Sequence, residues 1–310
     1  MASKGRSDSG FRHGAALAAS LITGGTVVAT RLAIAQFDPV SLALFRYLLA
    51  AACLAPFVWM IWRVEPASRR DLLAILGLGL LLFGLAPWLF NLSLTMTSAS
   101  RGAIAMGTAP VFAILFLHLS RLERIGTVRL AALVVAAIGC FLAFAGGYEG
   151  REVAGPSFWI GDILMLAAAC VTGVCVMAAK PVLDRAPVLM IVGIAMLAGV
   201  VGLSVPTAMQ LSSAGLPQFT NAGLLILLFL GILGGSVAVL LWLFAADGIA
   251  PVHLSYYFVL APASGLLMAF AVIGEPPTVS LLIGMVLLAT GILAALWKPK
   301  PQRRERRGFR

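Results

Sequence analysis

Apolar runs of about twenty residues, separated by short polar connections, follow one another along almost the whole chain. The hydrocarbon core of a bilayer is about 30 Å thick, which a helix of about 20 apolar residues can cross. Segments that alternate apolar and polar residues over ten positions are absent, and backbone groups in lipid must be bonded internally, so the pattern predicts a helical membrane protein. Ten spans are predicted, at residues 13–35, 40–62, 71–92, 100–118, 128–146, 158–179, 187–209, 221–245, 252–272 and 278–297.

The composition agrees with this prediction, because 61% of the 310 residues are hydrophobic and only 11% are charged. A water-soluble domain of this size could not bury so much apolar surface. Lys4, Arg6 and Arg12 precede an apolar stretch that is longer than the core of a signal peptide and lacks a convincing cleavage site, so an uncleaved first span is predicted. The four cysteines lie inside apolar runs without a CxxC pair and are expected to be packing residues.

The distribution of Lys and Arg predicts the orientation of the spans, because cytoplasmic loops are enriched in these residues. With the N-terminus inside, 18 of the 22 Lys and Arg residues fall on the cytoplasmic side. The other four, on or near the outer side, are Arg31, Arg46, Arg101 and Arg151. Both termini are therefore predicted to be cytoplasmic, and the net charge of +10 needs no nucleic-acid partner. The basic tail "KPKPQRRERRGFR" is expected to lie against anionic lipid headgroups, with a specific partner as the alternative.

Two halves of the chain carry the same pattern. A shift of 152 residues places Pro110 on Pro262 and Glu123 on Glu275. Further matches are Phe90 with Trp242 and Gly139 with Gly291 at the same shift, and Asp38-Pro39 with Ala186-Pro187 at a shift of about 148. Each unit has five helices, an odd number, so the second unit enters the membrane from the opposite side. Basic residues flank the loop at Glu123 but not the loop at Glu275, which favours one cytoplasmic and one external loop.

The fold predicted from this pattern is an all-α integral membrane protein whose ten transmembrane helices form two inverted five-helix repeats. The predicted domains are a basic cytoplasmic N-terminus (1–12), a first repeat (13–146), a second, inverted repeat (158–297) and a basic cytoplasmic tail (298–310).

A family resemblance rests on three stretches of the sequence. Each half has Ala-Pro in its fourth helix, then a turn with Glu, then an apolar helix with Gly, as in "LERIGTVRLAALVVAAIG" and "IGEPPTVSLLIGMVLLATG". The first half opens "GGTVVATRLAIAQFDPVSLALFRYLLAA". Over residues 13–297 the chain resembles the drug/metabolite transporter superfamily, in the ten-helix branch built from two EamA units. Arg46, in "FRYLLAA", belongs to that pattern, whereas the second half has Ile194 near the matching place.

The resemblance implies a secondary transporter of the bacterial inner membrane, which exports small organic solutes by alternating access around a central cavity. Members of this branch include exporters of amino acids, among them aromatic ones, so an amino acid is the expected substrate. Nucleosides, drugs and other metabolites are the alternatives. A monomer is expected, whose partners are the lipid bilayer and a small solute.

A proline inside a spanning helix frees a carbonyl group that lipid cannot satisfy. Pro110 and Pro262 are therefore predicted to break their helices at facing walls of the cavity. Polar and aromatic residues near these prolines and on helices 1, 3 and 8 are candidates for its lining: Thr23, Trp88, Asn91, Met106, Thr108, Trp242, Ser255, Tyr256 and Tyr257. Trp88 and Asn91 are three positions apart and are expected to share one helix face. The alternatives are an interfacial belt for the aromatic residues and close helix packing for the small ones.

Arg46 and His253 are the charged candidates, because ionisable groups in a membrane are functional candidates by default. Arg46 either attracts a substrate carboxylate or braces Asp38 and helix-end carbonyls. His253 lies either at the inner mouth of the cavity or simply at the interface. The acidic residues, including Asp162 and Glu275, are assigned to span ends or loops. Because a proton-coupled pump usually buries a carboxylate in mid-span, an uncoupled facilitator is expected.

No pattern in the sequence indicates catalysis. It has no GxxxxGK[ST], no HExxH and no Ser/His/Asp set at a shared depth, so we expect a protein that is not an enzyme and that needs no cofactor or metal. A membrane enzyme acting on lipid is the alternative from another class, but it would need a carboxylate or histidine cluster at headgroup depth. A channel is disfavoured, because no helix shows a polar stripe that could form a ring.

Overall fold

The computed structural model describes residues 2–65, 67–123, 125–145, 156–217 and 219–296, and these residues form ten helices long and apolar enough to cross a membrane. In chain order they are α1 (Ala2–Ala33), α2 (Pro39–Val64), α3 (Arg69–Leu94), α4 (Ala99–Leu119), α5 (Thr127–Ala145), α6 (Pro156–Ala178), α7 (Val188–Ala214), α8 (Asn221–Ala246), α9 (Pro251–Met268, with a π-helical extension to Ile273) and α10 (Val279–Leu296). The ten predicted spans are confirmed, with their ends shifted by a few residues. The predicted tail, 298–310, lies outside the described residues.

Side-chain caps determine where several of these helices begin. Asp38 accepts hydrogen bonds from the backbone nitrogens of Val40 and Ser41, and Pro39 occupies the first position of α2, where a missing N–H costs nothing. Three further caps act in the same way at the starts of α3, α4 and α8: Ser68, Ser98 and Thr220. The ends of these helices are therefore encoded locally.

Close helix contacts repeat between the two halves in the arrangement expected for an inverted repeat. A methyl group on Gly139 of α5 would lie 2.5 Å from the backbone nitrogen of Leu288 on α10. A methyl group on Gly291 of α10 would lie 2.5 Å from the backbone nitrogen of Ala136 on α5. The same shift of 152 relates both members of the two contacts, so α5 and α10 exchange roles across one approximate twofold axis. The fold of two inverted five-helix repeats is confirmed.

The central helices obey the same symmetry. Gly173 of α6 lies against the carbonyl oxygen of Ala109 on α4, and a methyl group on Gly24 of α1 would lie 2.5 Å from the carbonyl oxygen of Ala261 on α9. The α4–α6 pair and the α1–α9 pair are thus equivalent. Glycine permits both approaches, because any side chain there would meet backbone atoms. We call them the α4–α6 unit and the α1–α9 unit.

Helices α3 and α8 each contain a π-helical segment at matching positions, Leu80–Leu85 and Phe229–Val237. Gly79, at the edge of the first segment, lies against the carbonyl group of Ala195. A methyl group on Gly231, in the second segment, would lie 3.0 Å from the carbonyl oxygen of Arg46. π-Helical turns interrupt the regular backbone hydrogen bonds and often occur at functional sites. These two segments therefore mark a level of the bundle that is irregular in both halves.

Candidate solute pathway

The bundle has two ends, each defined here by a glutamate. The Glu275 end contains the connections from α1 to α2, α3 to α4 and α9 to α10, and the Glu123 end contains those from α2 to α3, α4 to α5 and α8 to α9. The repeats match Glu123 with Glu275 across these opposite ends. If the two repeats had the same conformation, matched residues would make the same contacts at both ends. Contacts that are present at one end and missing at the other therefore show which end is open.

Among the described residues, the close contacts between α4 and α9 lie in the half of the bundle nearest Glu275. Gly265 of α9 faces Ala103 of α4, and Pro262 lies 3.2 Å from the position of a methyl group on Gly107. Phe258 continues the same stripe of α9 one turn further toward the Glu123 end, yet 51% of its surface is exposed. The two helices have therefore separated at Phe258, and a space opens between them toward the Glu123 end.

Two predicted cavity residues lie beside this space. Trp242 of α8 stacks on Phe258, with ring centroids 4.7 Å apart and planes 17° from parallel. Thr23 of α1 is exposed although it lies between Ser20 and Val27, which share its helix face and are buried against α9 and α4. Exposure on an inward face requires an opening inside the bundle. Phe258 itself was missed by the sequence analysis, since an apolar phenylalanine in an apolar helix carries no local signal.

The two adjacent tyrosines of α9 do not point into this space, contrary to the sequence prediction. Tyr256 is 47% exposed and shares a stripe with Leu267 and Phe270, which are also exposed, so it belongs to the outer surface of the bundle. Tyr257 instead joins α9 to α1: its hydroxyl lies 2.9 Å from Nδ1 of His13, and its carbonyl accepts a hydrogen bond from Ser20. The side chain of the neighbouring candidate Ser255 is not among those described.

The two candidates on α3 have different surroundings, because Trp88 is exposed whereas Asn91 is only 1% exposed. Nδ2 of Asn91 donates to the carbonyl oxygen of Pro39, which ties α3 to the start of α2. Trp88 is thus open to its surroundings, whereas Asn91 is covered by the start of α2. On α4, Met106 is half-buried at the position that matches Phe258.

The helix break predicted for both halves is found in α4 only, since Pro262 lies inside the unbroken helix α9. Thr108 donates its hydroxyl to the carbonyl of Ala105 where α4 is interrupted, just before Pro110. Pro110 is half-buried and Pro262 is buried. The interruption in α4 thus coincides with the point at which α4 leaves α9.

A buried ion pair, which the sequence analysis missed, joins α4 to α6 near the Glu275 end. Arg101 and Asp162 are 2% and 1% exposed and bond through both the Nε and Nη2 atoms of the arginine. The Asp162 carboxylate also accepts from the hydroxyl of Thr97 at 2.7 Å, while the guanidinium lies over the rings of Phe144 and Phe158. Assigning Asp162 to a span end hid its burial. Opposite charges at similar depth in two helices that begin at the same end were the available signal.

Glu275 is another buried carboxylate, and it joins the two central units at their closed end. Only 4% exposed, it accepts hydrogen bonds from the backbone nitrogens of Ala99 and Ser100, at 3.1 and 2.9 Å, and from the Ser100 hydroxyl at 2.8 Å. It therefore satisfies free N–H groups at the start of α4, where a negative charge is also favoured by the helix dipole. Glu275 does lie in the connection between α9 and α10, as the sequence predicted, but that position did not reveal its burial. We call this contact the Glu275 latch.

The matching glutamate makes no such contact. Glu123 is partly exposed and bonds to Arg129 at the start of α5, at 2.6 Å. The equivalent of Ala99 at the start of α9 is Pro251, which has no N–H group to donate, and that helix start has no side-chain cap. Among the described residues, α6 and α9 do not pack together as α1 and the start of α4 do at the other end. The structure is thus closed at the Glu275 end.

The two charged candidates take different positions. His253 is exposed near the start of α9, with its ring 6.2 Å from that of Tyr256. Arg46 does not brace Asp38, whose carboxylate is occupied by the start of α2. Its guanidinium carbon lies 5.3 Å from the ring centre of Tyr47, and its Nε is buried without a hydrogen-bond partner.

Comparison with known proteins identifies the fold. The model of the EamA-like transporter family matches residues 13–145 and 159–297, one match for each half. The chain belongs to the EamA-like transporter family. Each EamA unit contains five helices and ends with α5 or α10, so the two matches correspond to the two repeats seen in the packing. A solved crystal structure shares the fold with a TM-score of 0.63 at 17% identity, covering 91% of this chain and 94% of that one.

Relatives of this EamA protein carry transporter names. A protein of Clostridium kluyveri, named an uncharacterized transporter, is 25% identical, with 82% of each chain covered. A protein of Streptantibioticus cattleyicolor, named a probable terminal-alkyne amino-acid exporter, is 28% identical over 89% of this chain and 90% of its own. Family and relatives thus indicate a multi-pass membrane transporter rather than an enzyme.

Proposed function

We propose that this EamA protein exports small organic solutes, foremost amino acids, across the bacterial inner membrane by alternating access. The observation that carries the proposal is the separation of α4 from α9 toward the Glu123 end, with the aromatic pair Trp242 and Phe258 and the hydroxyl of Thr23 at the opening. The exporter name of the Streptantibioticus relative supports an amino acid as substrate. The basic residues around Glu123 support a cytoplasmic opening, from which an exporter would load.

Alternating access follows from the symmetry of the two central units. In the present state, the α1–α9 unit and the α4–α6 unit touch near the Glu275 end and part near the Glu123 end. Rocking one unit against the other would exchange these relations, as in other transporters built from inverted repeats. Such a movement must break the Glu275 latch, and it would bring Glu123 toward the start of α9.

We further propose that transport is uncoupled from protons, for a reason that differs from the sequence expectation. Three carboxylates are buried among the described residues, and each lies toward one end of the bundle. Asp162, the seventh residue of α6, and Glu275, which follows α9, lie toward the Glu275 end, whereas Asp71 pairs with Arg185 at the start of α3, at the Glu123 end. A proton carrier must be reachable from each side in turn, because coupling requires a site that the two open states bind differently and expose to opposite solutions. None of the three carboxylates is placed to meet both solutions, so the solute gradient alone is expected to drive transport.

The test uses purified protein in liposomes and a panel of amino acids, nucleosides and quaternary amines. Amino acids should exchange across the liposome membrane faster than in protein-free liposomes, and the other classes should not. A pH step of about two units, worth roughly 2.7 kcal/mol per proton, should cause no net accumulation when substrate is equal on both sides.

Each outcome of the panel has a distinct meaning. Exchange of nucleosides or amines but not amino acids contradicts the proposed substrate. Uphill movement that a protonophore abolishes contradicts uncoupled transport and leaves the substrate assignment standing.

A further inference from the structure

Arg46 is a cation inside a membrane span that has no carboxylate partner in the described part of the chain. None of the four ion pairs found there includes it. Its Nε is buried and donates to no acceptor, and its guanidinium carbon lies 5.3 Å from the ring centre of Tyr47. A charge within a span is costly unless it is paired or serves a ligand or ion pathway. The missing counter-charge therefore requires an explanation.

The side of α2 that carries Arg46 faces the bundle. Leu49, one turn away, lies against Gly231 of α8, and the carbonyl of Arg46 faces the same glycine. Tyr47 packs edge-on against Phe83 of α3, with ring centroids 5.2 Å apart. Arg46 thus lies between the residues that contact α8 and the residue that contacts α3.

Lipid headgroups do not account for this guanidinium. Leu48, which is 47% exposed, marks the lipid-facing side of α2, and it lies almost opposite Arg46 around the helix. Arg46 is the eighth residue of α2, so its Cα is about 10 Å from the first residue of the helix at the Glu275 end. A side chain that reached for headgroups would have to cross the helix surface.

Along the bundle, Arg46 lies at the same height as the π-helical segments of α3 and α8. Gly231 lies in the π-helical segment of α8, and Phe83 lies in that of α3. The contacts of Arg46 and of the adjacent Tyr47 thus fall in segments of a kind that is common at functional sites. In the second half, the contact that matches Arg46 with Gly231 is made by Ala195 with Gly79, and Ile194 precedes it, so the cation is present on one side of the symmetry axis only.

We infer that Arg46 binds the carboxylate of the transported solute. The inference rests on the proposed function and names the group that Arg46 recognises. A guanidinium offers two parallel N–H groups that match a carboxylate, which a lysine ammonium cannot reproduce. Asp38, the acidic residue closest in sequence, is already held by backbone N–H groups of α2, so the site is left for an external carboxylate.

The test compares an acid with its amide in proteoliposomes. The best-transported amino acid of the panel is paired with its amide, in which a neutral group replaces the carboxylate. Wild type should have a KM for the acid about tenfold or more below that for the amide, as expected for a hydrogen-bonded charge. Arg46→Gln should remove this preference by raising the KM for the acid, and Arg46→Lys should leave an intermediate preference.

Arg63→Gln provides the matched control. Arg63 lies on the same helix, and its guanidinium also lies over an aromatic ring, that of Trp59 at 4.9 Å, but near the Glu123 end. This variant should keep the full preference for the acid. As a second readout, the acid should raise the midpoint of thermal unfolding in wild type and Arg63→Gln but not in Arg46→Gln.

A preference for the acid that persists in Arg46→Gln overturns the inference while leaving the proposed function intact. If Arg46→Gln does not fold, an undiminished preference in Arg46→Lys has the same meaning. If wild type moves other carboxylate solutes but no amino acid, the proposed substrate fails and the comparison is made on that solute and its amide. If wild type binds and moves only solutes without a carboxylate, both proposals fail.

Discussion

At the scale of single residues, the Arg101–Asp162 pair shows how a charge is tolerated inside this bundle. Burying either ion alone is costly, and the pair compensates by hydrogen bonds from Arg101 and Thr97 to the carboxylate and by two rings over the guanidinium. The pair joins α4 to α6, two helices that also pack closely at Gly173 and Ala109. Its role is therefore to hold that unit together during transport.

Removing one member of the pair should destabilise the protein. Asp162→Asn leaves the Arg101 guanidinium buried without a counter-ion, which typically costs about 3–5 kcal/mol. We expect a large fall in the midpoint of thermal unfolding in detergent. Replacing both residues, as Arg101→Met with Asp162→Leu, should cost less than Asp162→Asn alone because no charge then remains buried.

The control for this prediction is Asp247→Asn. Asp247 pairs with Arg12 at 3.0 Å, but its side chain is 77% exposed, so the pair is worth about 0–1 kcal/mol at most. Equal midpoints for Asp162→Asn and Asp247→Asn would show that the buried pair does not stabilise the α4–α6 unit.

At the scale of helices, the Glu275 latch accounts for which end of the bundle is closed. Glu275 bonds to two backbone N–H groups and one hydroxyl at the start of α4. The matching helix start on α9 has Pro251 and Val252 in place of Ala99 and Ser100, so one N–H and the hydroxyl are missing. A latch made by Glu123 would therefore be weaker, which favours the state that is closed at the Glu275 end.

Weakening the latch should open the Glu275 end. Glu275→Gln removes the charge, and hydrogen bonds to charged groups are worth about 1.5–3 kcal/mol, so the population of the open state should rise about tenfold or more. The measurement is the rate at which a membrane-impermeant thiol reagent, added from the Glu275 side, labels Val27→Cys in a background without the four native cysteines. Val27 is 7% exposed and faces Gly102 in the closed half.

Glu123→Gln is the symmetric control for the latch. Because Glu123 bonds to Arg129 near the surface and to no other side chain among the described residues, this variant should leave the labelling rate unchanged. Identical rates in wild type, Glu275→Gln and Glu123→Gln would mean that the latch does not govern opening.

At the scale of the whole molecule, the inverted repeat places matched loops on opposite sides of the membrane. We propose that the Glu123 end is cytoplasmic, together with both termini, because Lys and Arg concentrate there. Reporter fusions at the C-terminus and in the connection between α4 and α5 should report a cytoplasmic location. A fusion in the connection between α9 and α10 should report an external one. Reversed signals at all three positions would contradict the proposed orientation and the direction of export inferred from it.

The ten spans and their division into two inverted repeats could be predicted from the sequence by itself. Each membrane helix satisfies its own backbone hydrogen bonds, so its presence depends on local composition and length. Helix starts are equally local, as the Asp38 cap on α2 illustrates. The repeat was readable because Pro110 and Glu123 recur as Pro262 and Glu275 at one constant spacing.

The candidate pathway was predictable only in part, because it depends on how each helix is rotated and on what lies beside it. Trp242 and Thr23, both candidates from the sequence, lie at the opening. Tyr256, another candidate, faces outward, and the inward-facing residue is Phe258, two positions along α9. In an apolar solvent both faces of a helix are apolar, so hydrophobic periodicity does not distinguish the inward face from the lipid face.

Charge partners were decided by the tertiary structure alone. Glu275 meets Ser100 across 175 residues of sequence, and Arg101 meets Asp162 across 61. Position in a loop or near a span end did not reveal burial, because a neighbouring helix can cover a loop residue as fully as a core residue. The sequence therefore determined the helices and their symmetry, while the packing of one repeat against the other decided which charges are buried and which end of the bundle is closed.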